Sequence, residues 1–239
     1  MPVAEVVKKF REQEKGTDVL KQRWYIAAIA ALAAASAGTE TPDLYHLATE
    51  GLPLEKEKLV QRRLKEAVLK TSLLYGVPKS LQALYPLYHS LREEQIDTYG
   101  PRYEAVKAGA SAKEREERGK KYFDVTWTPP VAQANREKNF KYHPDLALLN
   151  QQMLYEWWVS EDAILSPIET QVCTAAALIC SNSPVQALWH TRGIVRHGGS
   201  MEDAQFAQDI GLAIAKAYDC KTGEITPVAD IDFADLTPP

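Results

Sequence analysis

Apolar positions recur along this chain with a helical period, and alternation with period two is hard to find. Residues 4–13 read as a charged amphipathic helix, and residues 18–37 as a longer one ending in an Ala-rich run. Gly38-Thr39-Glu40-Thr41-Pro42 breaks the pattern, and Pro42-Asp43 opens the next helix, since proline is tolerated in a first turn. A helix over 55–75 stops at Gly76-Val77-Pro78, where glycine can cap and proline cannot continue the turn. Residues 79–95 carry the stripe Leu81, Leu84, Tyr85 and Tyr88, with a kink or break expected at Pro86. Residues 112–121 mix both charge signs and read as a solvated helix. Residues 124–145, with Thr126-Trp127-Thr128-Pro129-Pro130, form the least regular stretch. Further helices are expected over 145–160, 167–181, 186–198 and 201–218, and the pattern lapses from Lys221 onward. The sum is an all-α chain.

The pattern also repeats. The same spacing separates Gly51 from Gly198 and Glu55 from Glu202, and it lays Ala175-Ala176-Ala177 on Ala28-Ile29-Ala30. Each half then reads as an Ala-rich buried helix, a second helix, a glycine and a Glu-opened helix. Small side chains on the Ala-rich helices let neighbours approach closely. The expected division is an N-terminal helical extension (1–17), a first half (18–110), a connecting segment (111–145), a second half (146–220) and a C-terminal tail (221–239).

Composition narrows the function classes. With 239 residues, 45% apolar and 25% charged, the chain can bury a sizeable core. A net charge of −4 and no basic block free of interleaved acids argue against nucleic acid as a partner. The cysteines, Cys173, Cys180 and Cys220, form no CxxC pair and have no zinc-ligand spacing, which fits a reducing compartment. Cys173 and Cys180 lie on one apolar helix and read as buried and inert. The longest apolar run, 25–37, is too short to span a bilayer, and the first residues hold no apolar targeting core. The expectation is a cytoplasmic protein with no membrane partner.

The candidate chemistry centres on Trp189-His190-Thr191-Arg192-Gly193. At about 100° per residue, Ser183, Gln186, His190, Gly193 and His197 fall on one helical stripe. Trp189 lies about 100° and Arg192 about 200° from His190, so Arg192 does not share its face. Imidazole suits acid/base work near neutral pH, but a hydrogen-bonded interior histidine gives the same pattern, and both readings stand. His190 and His197 are about 10 Å apart along a helix, too far to chelate one ion, so no metal is expected. Arg192 and Arg196 could hold a carboxylate or pair with acids at a subunit contact. Tyr155-Glu156-Trp157-Trp158 surrounds one carboxylate with rings, which can raise its pKa for acid catalysis; packing and an oligomer contact are the other reading.

Leu165-Ser166-Pro167-Ile168-Glu169, Ala175-Ala176-Ala177, Trp189-His190 and Gly198-Gly199-Ser200-Met201-Glu202 together resemble the carboxymuconolactone decarboxylase family and its alkylhydroperoxidase D-like relatives. The segments 64–69 and Tyr75-Gly76-Val77-Pro78 look like the matching helix of the first half, and Arg118-Gly119 and the Tyr155/Trp157 region like the connecting segment and the helix that follows it. The resemblance covers most of 20–220 and implies an all-α, alkylhydroperoxidase D-like fold with two related helical halves, assembled as a dimer, trimer or hexamer. It also implies that His190 is what survives of a proton relay. Ser183 and Gln186 stand where the redox branch has its CxxC, and Gln171 where it has an acidic helper, so peroxidase activity is not expected. In the first half Asp43 takes the histidine's place, with His46 nearby, which points to one site per chain.

The functional expectation is a cofactor-independent lyase or isomerase acting on a small anionic unsaturated or lactone substrate. In it His190 and Glu156 carry protons, while Trp189, Arg192, Gln186 and Tyr155 bind the substrate. The alternative is a non-catalytic binding or scaffold protein that retains the fold. A closed pocket beside His190, or a filled core there, separates the two.

Overall fold

In the computed structural model the described residues are 2–234, and no strand occurs among them. The helices are α1 (Val3–Gln13), α2 (Trp24–Ala34), α3 (Thr41–Thr49), α4 (Leu54–Tyr75), α5 (Val77–Ser90), α6 (Pro101–Lys107), α7 (Ala112–Trp127), α8 (Pro129–Tyr142) and α9 (Pro144–Leu148). The last of these runs directly into a π-helix over Leu149–Val159. Then follow α10 (Pro167–Cys180), α11 (Pro184–Arg196) and α12 (Met201–Ala217).

Two Ala-rich helices make the centre. Every residue of α2 is buried, as is α10 from Thr170 to Cys180, and the two pack against each other with α4 and α12 around them. Alanine keeps such a crossing close, and the surrounding Ile, Leu and Val fill the gaps. One apolar core runs through residues of both halves. Both central helices end in the same motif. Ala37 N–H bonds Leu32 O and Ser36 N–H bonds Ala33 O; Ser183 N–H bonds Leu178 O and Asn182 N–H bonds Ile179 O. Ser36 and Asn182 take the left-handed conformation that this cap requires.

Local chemistry explains where the elements depart from the sequence pattern. Residues 18–37 are not one helix: a short turn at Val19–Lys21 precedes α2. The buried Glu14 carboxylate accepts from the N–H groups of Arg23 (2.7 Å) and Trp24 (2.9 Å), supplying the cap that starts α2. Helix α5 continues through Pro86 to Ser90, and the Gly38 backbone packs against the carbonyl of Gln82, which proline leaves without its helical donor. The stretch around Pro129-Pro130 is helical too. Thr128 alone separates α7 from α8, and both prolines sit in a first turn, where a missing N–H costs nothing.

The segment Ser166-Pro167-Ile168-Glu169 is a capping box. Ser166 N–H donates to Glu169 Oε2 (2.8 Å), and Glu169 N–H to Ser166 Oγ (3.3 Å). Arg63 from α4 then donates to Glu169 Oε1 (2.8 Å), tying one half to the other. A second, smaller apolar cluster joins Tyr122, Phe123, Trp127, Val131, Tyr155 and Trp189, with α7 packed on α11 and α8 packed on α7. Beyond it α8, α9 and the start of the π-helix expose Phe140, Tyr142, Leu146, Leu149 and Met153. No helix among the described residues is long and apolar enough to cross a membrane.

Candidate functional site

His190 sits mid-way along α11, and its partners come from α10 and α7. Its ring is buried, with Nδ1 2.8 Å from Gln171 Oε1. Gln171 Nε2 donates to the Tyr122 hydroxyl (3.0 Å) and to Thr126 Oγ1 (3.2 Å). Tyr122 donates onward to Pro167 O (3.4 Å), and Thr126 to Tyr122 O (3.0 Å). The Thr126 proton is therefore spent, so His197 Nε2, 3.0 Å away, must donate to it. Likewise both amide hydrogens of Gln171 are used, its oxygen faces His190, and the His190 proton is assigned to Nδ1. Each proton in the chain of bonds has one place.

Gly193 makes this possible. A Cβ there would stand 2.7 Å from Gln171 Oε1 and 3.3 Å from a Thr126 methyl, so a larger residue would displace the amide from His190. The ring of Trp127 meets His190 edge-on at 6.2 Å and stacks on Trp189 at 5.0 Å. Burial, together with repulsion from His197, pushes His190 down to about 4, and burial does the same to His197. Both imidazoles are neutral at pH 7, with no carboxylate in the network to favour a second proton.

The remaining expected site residues scatter. Tyr155 lies in the second cluster, its hydroxyl accepting from Trp127 Nε1 (3.0 Å). Glu156 is not brought to His190: it packs against Gly119 of α7, with Arg115 Nε 3.8 Å from its carboxylate. Burial raises the Glu156 pKa, while Arg115 opposes the shift. Gln186 lies on the stripe by angle but one turn earlier, and it is exposed. Trp189 is buried, with the guanidinium carbons of Arg192 and Arg196 5.1 and 5.2 Å from its ring centre. Arg196 also donates to Thr126 O (2.9 Å). In the first half Asp43 and His46 are exposed on α3.

Tyr122 and Thr126 of the network, and Trp127 beside it, escaped the sequence reading because they fall where a solvated helix gives way to a stretch read as irregular. Their signal is the spacing Gly119, Tyr122, Phe123, Thr126, Trp127, one apolar face continuing the charged helix. His190 does not line the cavity between α4, α6 and the π-helix, nor four others formed by the described residues.

No family model matches the chain. Over 158 residues it is 29% identical to Peroxisomal protein 2 of Schizosaccharomyces pombe (strain 972 / ATCC 24843), a span of 64% of this chain and 69% of that protein. Elsewhere in the chain, burial raises the Cys173 thiol far above its usual range. Cys180 Sγ donates to Gly211 O (3.4 Å), and the mutual influence of the Cys180 and Cys220 thiols raises the former and lowers the latter to about 7.

Proposed function

We propose that this chain is a small-molecule-binding protein that keeps a carboxymuconolactone decarboxylase-like helical frame and uses His190 as a structural element. The observation that carries this reading is the closed network from His190 through Gln171 to Tyr122, Thr126 and His197. A lyase of the expected type needs an acid to protonate a carbanion. A histidine held down to about 4 and bonded to an amide is a poor donor at pH 7. The expected second proton-transfer group, Glu156, belongs to another face.

The lyase reading keeps one supporting observation, that Gln171 and His190 are in contact as the family relay would require. One substitution separates the readings. His190→Asn keeps a donor where Nδ1–H stood and removes the imidazole. In a strain lacking the protein, His190→Asn should restore the metabolite profile as well as the native chain does. Accumulation matching the deletion would establish His190 as catalytic.

Two further expectations belong to this reading. The chain self-associates, supported by the apolar surface of α8, α9 and the π-helix. Its compartment is that of the relative named as a peroxisomal protein, in place of the cytoplasm. A fluorescent fusion spread evenly through the cytosol would remove the second expectation.

A further inference from the structure

We propose that a cavity between α4, α6 and the end of the π-helix binds a small aromatic or conjugated monoanion, with its ring system against Trp157 and Trp158 and its charged group at Lys65. The proposal deepens the binding reading above and rests on it. The cavity measures about 530 Å³ and is walled by the rings of Tyr88, Tyr99, Tyr103, Trp157 and Trp158. That is the size and apolar character of a small-ligand site with a few polar groups to orient its occupant.

The two indoles and Tyr99 are held in place before any ligand arrives. Arg102 donates through Nη1 and Nη2 to the two Glu66 oxygens (3.0 and 2.7 Å). It also donates to the carbonyls of Trp157 (2.5 Å) and Trp158 (2.7 Å), fixing the backbone that carries both indoles. The guanidinium carbon of Arg102 lies 5.1 Å from the Trp158 ring, and that of Arg62 lies 4.4 Å from the Tyr99 ring. A rigid aromatic wall favours a flat, unsaturated body over a flexible chain, because little side-chain freedom is left to lose on binding.

Charge points to an anion. The cavity's carboxylates, Glu66 and Asp97, are each held by two hydrogen bonds from one arginine, Arg102 and Arg62. Lys65 is the third cation lining the space. Its ammonium donates to Gln61 Oε1 (3.0 Å) and to the carbonyl of Asp97, both uncharged acceptors, leaving one of three hydrogens for a ligand. Burial lowers the Lys65 pKa, with the Asp97 carboxylate opposing the shift and the Arg62 charge adding to it.

The test uses two dyes that differ by one charge. These are 8-anilinonaphthalene-1-sulfonate and its uncharged counterpart N-phenyl-1-naphthylamine, titrated into the full chain by fluorescence. Both should bind with one saturable site per chain. Val106→Trp, at a largely exposed position of α6 on the cavity wall, should weaken both by about tenfold or more by filling the space. Lys65→Met should weaken the sulfonate by about tenfold and leave the neutral dye unchanged. Failure of the native chain to bind either dye overturns the proposal, as does Val106→Trp binding both unaltered or Lys65→Met affecting both dyes or neither. Should sedimentation show Val106→Trp breaking a dimer while the native chain takes up no dye, the space is a contact between copies and the ligand proposal fails. The outcomes stay separable from the role of His190: dye binding with loss of function in His190→Asn removes only the structural reading, and the converse removes only the cavity.

Discussion

At position 171 an amide stands where a carboxylate would have to stand for His190 to hold a second proton. The amide also does what a carboxylate cannot, donating to both Tyr122 and Thr126. The result is a pair of neutral histidines with a defined pH signature. His190 and His197 titrate near 4 in the folded chain, below the 6.5 of an exposed imidazole. Between those values the unfolded chain binds more protons, so stability is complete above pH 6.5 and is lost as pH falls toward 4. At about 1.4 kcal/mol per pKa unit, the loss amounts to a few kcal/mol for each histidine at most. Thermal melting should fall steadily over that window, and His197→Phe should flatten the fall. A native melting temperature constant from pH 7 to 4 would contradict the buried neutral assignment.

The end of the π-helix is closed by two buried cations from elsewhere in the chain. Arg102 takes the carbonyls of Trp157 and Trp158, and Lys70 those of Val159 and Glu161. Lys70 also donates to Thr170 Oγ1 (2.8 Å), which joins this helix end to α10. Cations suit the negative end of a helix, and here they supply the donors its carbonyls lack. Arg102→Met leaves Glu66 buried without its hydrogen-bond donor, at an expected cost of about 3–5 kcal/mol. Urea denaturation measures it, and a double variant that also carries Glu66→Leu should recover much of the loss. A single-variant cost below about 1 kcal/mol would mean that the pair is solvated.

Over the whole molecule, one core drawn from both halves sets the architecture, while α8 and α9 form an arm with much of its surface uncovered. Phe140, Tyr142, Leu146, Leu149 and Met153 are exposed along this arm and the π-helix that follows. Apolar surface gathered this way on a chain of net charge −4 suits burial against a second copy. Sedimentation should find the native chain as a defined oligomer and Leu149→Glu as a lighter species with unchanged helicity. A monomeric native chain would remove the expectation.

The sequence by itself determined the all-α class, the buried Ala-rich helices, the stop at Gly76 and the stripe from His190 through Gly193 to His197. Each follows from periodicity, propensity or capping, which act over a few residues. It missed the break before α2, because the cap is Glu14, distant from the turn it closes. It also missed α8, because prolines that end one helix can equally begin another. Only the tertiary structure decided that Gln171 faces His190 at 2.8 Å, that Tyr122 and Thr126 complete the network, and that Glu156 belongs to another face. Contacts between helices depend on crossing geometry and on small residues such as Gly193 and Gly119, whose importance lies in what an added Cβ would strike. Whether a histidine is exposed and reactive or enclosed and neutral is settled there as well, because the shift comes from burial by three helices that no local pattern brings together.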